Sequence, residues 1–80
     1  MSEANAVYER INAVTPEDGK KIPVTDAISV NVAGTVAFRT IKGKVVSKAL
    51  LAGLDYNYAV TEVLATGTDA DLGVSALYYA

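Results

Sequence analysis

The side chains in this chain that could do chemistry are carboxylates, serines and tyrosines, because it contains neither His nor Cys. That removes the commonest general base, the commonest metal ligand and the most reactive nucleophile. Ser47 and Ser75 have no His to activate them, and no spacing pairs either with a Lys in a nucleophilic arrangement. Asp55, Glu62, Asp69 and Asp71 could in principle supply a glycosidase-like carboxylate pair. Asp69 and Asp71, however, sit in a Gly-Thr-Asp stretch, where short polar side chains support turns. Glu17-Asp18-Gly19 places two carboxylates beside a Gly, but the further oxygen ligands of a calcium loop are missing, so a solvated turn is expected. The glycines are scattered one per turn, with neither a dinucleotide fingerprint nor a P-loop. The chain is therefore not expected to be an enzyme, and no metal, cofactor or small-molecule substrate is expected.

The tyrosines are more informative. Tyr8, Tyr56, Tyr58, Tyr78 and Tyr79 are the candidate interface residues, since aromatic side chains anchor interfaces out of proportion to their number. Tyr56 and Tyr58 share one face of an extended segment and also suit half-buried packing. A Tyr pair can stack on a sugar ring, which leaves a carbohydrate-binding β module as an alternative.

These residues must be positioned by strands. Residues 60–66 are rich in β-branched side chains, and 67–71 are turn-forming. Residues 72–79 alternate, with Leu72, Val74, Ala76 and Tyr78 on one face. A hairpin pairing 60–66 with 72–79 is expected. Residues 27–32 alternate as well, with Ile28, Val30 and Val32 on one face. Ala33-Gly34 reads as a tight turn, 35–41 as the next strand with Phe38 in the core, Lys42-Gly43 as a second turn and 44–50 as a third strand. The resulting meander has turns at Gly34 and Gly43. Lys42, Lys44 and Lys48 mark a solvated face or a protected edge. Residues 20–24 add a short edge strand, which suits Pro23. Gly53 pivots a bend at 51–55. Residues 1–13 are read as an N-terminal arm or short helix, with Ser2 as a possible cap, and 14–80 as a single β domain. The expected fold is all-β: a small antiparallel β-sandwich or barrel of about six strands.

At 80 residues and 51% hydrophobic, the chain carries more apolar surface than one small core hides, so a homo-oligomer or a docking surface is expected. A net charge of −2 with interspersed signs lacks the basic stripe that nucleic acid requires. No apolar run reaches membrane-spanning length, and the first residues lack the pattern of a secretory signal, so a cytoplasmic origin is expected.

The collinear pieces Ala13-Val14-Thr15-Pro16-Glu17-Asp18, the bend Ala52-Gly53, Ala65-Thr66-Gly67-Thr68 and Ala76-Leu77-Tyr78 resemble the layout of the spike base proteins of gene transfer agents and tailed bacteriophages. The resemblance spans nearly all of the chain after Asn12. Leu51 departs from it, standing where that layout has Pro before Ala-Gly. Tyr56 and Tyr58 replace a more basic, Val-rich run. The resemblance implies a virion structural protein assembled in the host cytoplasm: a capsid-bound base that anchors a head spike or fibre. Its partners would be the major capsid protein and the spike or fibre protein. The self-association could close as a trimer, pentamer or hexamer. Within the same class, a capsid decoration or cement protein and a tail or baseplate component are the alternatives.

Overall fold

The structure is a computed structural model that describes residues 8–79. Six strands form: β1 (Tyr8–Ala13), β2 (Ala27–Ser29), β3 (Gly34–Thr40), β4 (Val45–Leu50), β5 (Val60–Leu64) and β6 (Ser75–Tyr79). They make two three-stranded antiparallel sheets, ordered β1-β6-β2 and β4-β3-β5. The all-β fold of six strands is as expected.

The core lies between the sheets. Ile28 and Val30 come from one side. Val36, Phe38, Leu50, Val60 and Val63 come from the other, and Leu72 and Val74 enter ahead of β6. Leu72, Val74, Ala76 and Tyr78 are all buried, but so is Leu77 from the opposite set, and the strand is shorter than expected: β6 begins at Ser75, after Gly73 at φ 66°. Phe38 is 1% exposed and its ring stacks on Tyr58 at 5.3 Å.

Four local expectations are corrected. β5 and β6 do not form a hairpin: β5 pairs with β3, whereas β6 lies between β1 and β2 in the other sheet. The ten residues between them cross from one sheet to the other, which brings Leu72 and Val74 into the core. The three-strand meander reduces to one hairpin, β3–β4, turned at residues 41–44, because β2 joins the other sheet. Gly34 begins β3 and does not turn the chain; a Cβ there would meet the Leu72 side chain at 2.6 Å, so close packing and not φ explains the glycine.

The third correction concerns the N-terminal segment. Residues 8–13 are a strand and not a helix, paired with β6 from Tyr8↔Tyr79 to Ala13↔Ser75. The central strand β6 has two edges to satisfy, and a ladder partner outweighs a weak helical propensity. Residues 1–7, and with them the Ser2 cap, lie outside the described residues.

Between β1 and β2, residues 14–25 form a strap rather than an edge strand. Its only bridge is Lys21↔Glu62. It lies along the free side of β5 through Glu17 N–H to Val63 O (2.9 Å), Ile22 N–H to Thr61 O (2.9 Å) and Thr25 N–H to Val60 O (3.1 Å). Pro16 and Pro23 lack a donor and prevent a regular ladder here.

Candidate functional site

Of the five tyrosines, Tyr78 is buried, Tyr79 is exposed, and Tyr8, Tyr56 and Tyr58 are half-buried. Tyr56 and Tyr58 stack on each other at 5.8 Å, continuing the Phe38–Tyr58 stack, and both pack against the core. Tyr58 thus stacks with both Phe38 and Tyr56, and both tyrosines are half-buried. The Tyr56 hydroxyl accepts the Leu51 N–H at 2.8 Å. Tyr78 is 7% exposed; its hydroxyl donates to the Pro23 carbonyl at 2.9 Å, and the Arg10 guanidinium lies 4.5 Å above its ring. Burial pushes the Tyr78 hydroxyl above its ordinary pKa against the opposing pull of Arg10. Tyr78 thus ties β6 to the strap and offers little surface to a partner.

Tyr8, half-buried, and Tyr79, exposed, form a second pair away from the core cluster. Their rings stack at 5.2 Å with 10° between planes, and Tyr79 is 46% exposed. The Tyr8 hydroxyl donates to Asn57 Oδ1 at 3.3 Å, and the Tyr79 N–H donates to Asp26 Oδ2 at 2.8 Å. Partial burial, then the neighbouring Tyr79 and Asp55, push the Tyr8 hydroxyl upward. The pair is a flat aromatic platform at one end of the β1-β6-β2 sheet.

The carboxylates are engaged in holding loops. Glu62, 4% exposed, accepts the Gly19 N–H at 2.7 Å and the Arg39 Nε–H at 3.3 Å. Its pKa is lowered, first by the Gly19 N–H and then by Arg39 and Lys21, against the cost of desolvation. Asp18 accepts the Ala65 and Thr66 N–H groups at 2.8 and 3.1 Å through Oδ1, and the Thr66 hydroxyl through Oδ2 at 2.5 Å. Those bonds, led by the Thr66 hydroxyl, lower the Asp18 pKa. Asp69 Oδ2 accepts the Thr35 N–H at 2.8 Å, closing the 65–71 turn onto β3. Asp55 and Asp71 are exposed, as is Ser47 on β4, while Ser75 is half-buried on β6. No described group of three or more acidic, His or Cys side chains could hold a metal ion. A cavity of about 190 Å³ lies between the strap and β6, lined by Val14, Lys20, Ile22, Ala76 and Tyr78.

The surface that Lys42, Lys44 and Lys48 mark, read from sequence as a solvated face or protected edge, has two further features that sequence reasoning passed over. From residue 27 to 54 there is no acidic side chain, while Lys42, Lys44 and Lys48 fall within it. That absence was visible in the sequence. The structure adds that β4 is an outer strand and that Ile41, Val45, Leu51 and Leu54 around it are exposed.

The chain is similar to one in a solved structure described as the capsid of a native gene transfer agent (GTA) particle computed with C5 symmetry. The TM-score is 0.77 at 25% identity, over 88% of this chain and 82% of that one. No protein-family model and no curated protein matches the sequence. Fold and likeness together support an all-β structural protein related to the capsid of a gene transfer agent or phage-like particle.

Proposed function

We propose that this protein is a virion structural component of a phage or phage-like particle: a capsid-bound base that anchors a head spike or fibre. The observation that carries this reading is the likeness, at TM-score 0.77 over 88% of the chain, to a chain of a GTA capsid. Its partners are the major capsid protein, the spike or fibre protein and further copies of itself, and it works by buried area without catalysis. A stable docking of this kind takes on the order of 1,000 Å² or more of interface. The Tyr8–Tyr79 platform is its exposed aromatic candidate.

The test is to purify particles, count the copies of this protein in each and locate them by reconstruction. Copies confined to the vertices, beneath a spike or fibre, are expected. Copies spread over every lattice position would make it a cement protein, and its absence from the particle would overturn the reading.

A further inference from the structure

Of the outer edges of the two sheets, two are closed within the chain. The strap covers β5, and Tyr56 exchanges both backbone hydrogen bonds with Ile28 of β2 at 2.8 Å. β4 is different. Thr40 N–H donates to Lys44 O at 2.8 Å, and the ladder then runs Arg39↔Val45, Phe38↔Val46, Ala37↔Ser47 and Val36↔Lys48. Antiparallel pairs alternate between bonded and non-bonded, so Lys44, Val46, Lys48 and Leu50 bond to β3. The other side of β3 agrees, since Thr35 and Ala37 direct their N–H groups away from β4, to Asp69 and Thr68. Val45, Ser47 and Ala49 therefore point their N–H and C=O groups out of the sheet, and all three are exposed. The open run ends at Leu51, whose N–H is capped by the Tyr56 hydroxyl.

An open edge with lysines reads first as a guarded edge. Lys48 suits that role, for it stands opposite Val36 on the core-facing side of the sheet. Pairing β4 with a second β4 about a two-fold centred on Val46 or Lys48 would set lysine directly opposite lysine. Guarding does not explain the apolar groups beside it. Ile41 is 61% exposed at one end, Val45 48% within the strand, and Leu51 and Leu54 60% and 49% at the other end. A surface built only to repel strands has no use for four large apolar side chains.

We infer that the β4 edge is a docking site for an extended segment of another protein of the particle, added as a fourth strand with acidic side chains facing Lys44 and Lys48. Backbone bonds to Val45, Ser47 and Ala49 supply the pairing, the lysines select carboxylates, and the flanking apolar groups supply contact area. The absence of any acid from 27 to 54 sets the charge the partner must bring. This inference rests on the particle role proposed above.

The test compares hydrogen exchange of the β4 peptide in the free protein and in purified particles, together with copy number for three variants. The Val45, Ser47 and Ala49 amides are expected to exchange at least about tenfold more slowly in the particle. Ser47→Pro removes an outward N–H without touching the β3 ladder, and K44E/K48E reverses the edge charge; each is expected to lower copies per particle at least about fivefold with the free fold retained. K44R/K48R is expected to incorporate normally. Wild-type incorporation with unchanged β4 exchange, or full incorporation of K44E/K48E, overturns the inference and leaves the particle role standing. Protection of β4 that grows with concentration in the free protein makes a second copy the occupant and also overturns it. If the wild-type protein is missing from particles, both readings fall.

Discussion

Thr25 ties the strap to the core through a buried hydroxyl as well as its N–H, and removal of that hydroxyl gives the sharpest test of how this fold is tied together. The side chain is 2% exposed. Its Oγ1 donates to Tyr58 O at 2.7 Å and accepts the Val60 N–H at 3.0 Å. Thr25→Val keeps the shape and deletes both bonds, leaving a buried N–H without an acceptor. Each lost bond costs about 0.5–1.5 kcal/mol, and a stranded buried donor about 1–3, so about 2–4 kcal/mol is expected. Thr25→Ser keeps the hydroxyl and loses one methyl, for about 1 kcal/mol. The main-chain bond from Thr25 N–H to Val60 O is common to both variants and drops out of the comparison. A domain of this size has about 4–12 kcal/mol in total, so Thr25→Val removes a large share. At about 4–8 °C per kcal/mol, Tm falls by about 8–30 °C for Thr25→Val and about 4–8 °C for Thr25→Ser. Urea titration and thermal melts of the three proteins give the answer. If Thr25→Val proves as stable as Thr25→Ser, the hydroxyl is not the tie and this account of the strap is wrong.

Three other perturbations probe separate parts of the molecule. Asp18 and Glu62 both have lowered folded pKa values, so their contribution is present above their ordinary values of 3.8 and 4.5 and is lost as pH falls through and below that range. Stability measured from pH 7 to pH 2 should fall steeply there for the wild type and less steeply for Asp18→Asn with Glu62→Gln. Gly34→Ala puts a Cβ 2.6 Å from Leu72 Cδ2 at a buried contact between strand and loop; about 1–3 kcal/mol of destabilisation is expected in denaturant titration. A double-mutant cycle with Tyr8→Ala and Tyr79→Ala should return a coupling of about 0.5–1.5 kcal/mol for the stacked pair, and a value near zero would show that the platform is not formed in solution.

The sequence disclosed which residues face inward far better than it disclosed which strands meet. The period of Leu72, Val74, Ala76 and Tyr78 marks four buried positions, although only the last two lie in β6, and burial of Phe38 follows from its being the sole Phe among β-branched neighbours. Pairing is another matter. Residues 60–79 carry the local marks of a hairpin, and nothing local records that β3 and the strap compete for the two edges of β5. The same holds for β1. Arg10 and Asn12 face Tyr78 and Ala76 across the ladder, so no apolar alternation marks Tyr8–Ala13 as a strand; the aromatic face under Arg10 appears only once β6 is beside it. Among site residues, the tyrosines were visible as a class. Their division into core (Tyr56, Tyr58, Tyr78) and platform (Tyr8, Tyr79) depends on partners 55 and 49 residues away, Pro23 for Tyr78 and Asn57 for Tyr8.

That reliance on distant partners bears on how the protein would behave in a particle. β5 is held from both sides, by β3 and by the strap with its Asp18, Glu62 and Thr25 ties. β4 is held from one side only, and of its six residues only Leu50 is buried and Val46 half-buried. Few buried apolar contacts and a single ladder put β4, like β1, among the first strands to open in the free chain. A fourth strand would change that twice over, by occupying the outward backbone groups and by covering Val45 and the apolar flanks. A partner that binds only the folded edge stabilises it by mass action, by about 2.7 kcal/mol at a hundredfold excess over Kd. The β3–β4 ladder amides, and not just the outward ones, should then exchange more slowly in the particle. Protection confined to Val45, Ser47 and Ala49 would mean that the partner pairs with the edge without stabilising the β3–β4 ladder beneath it.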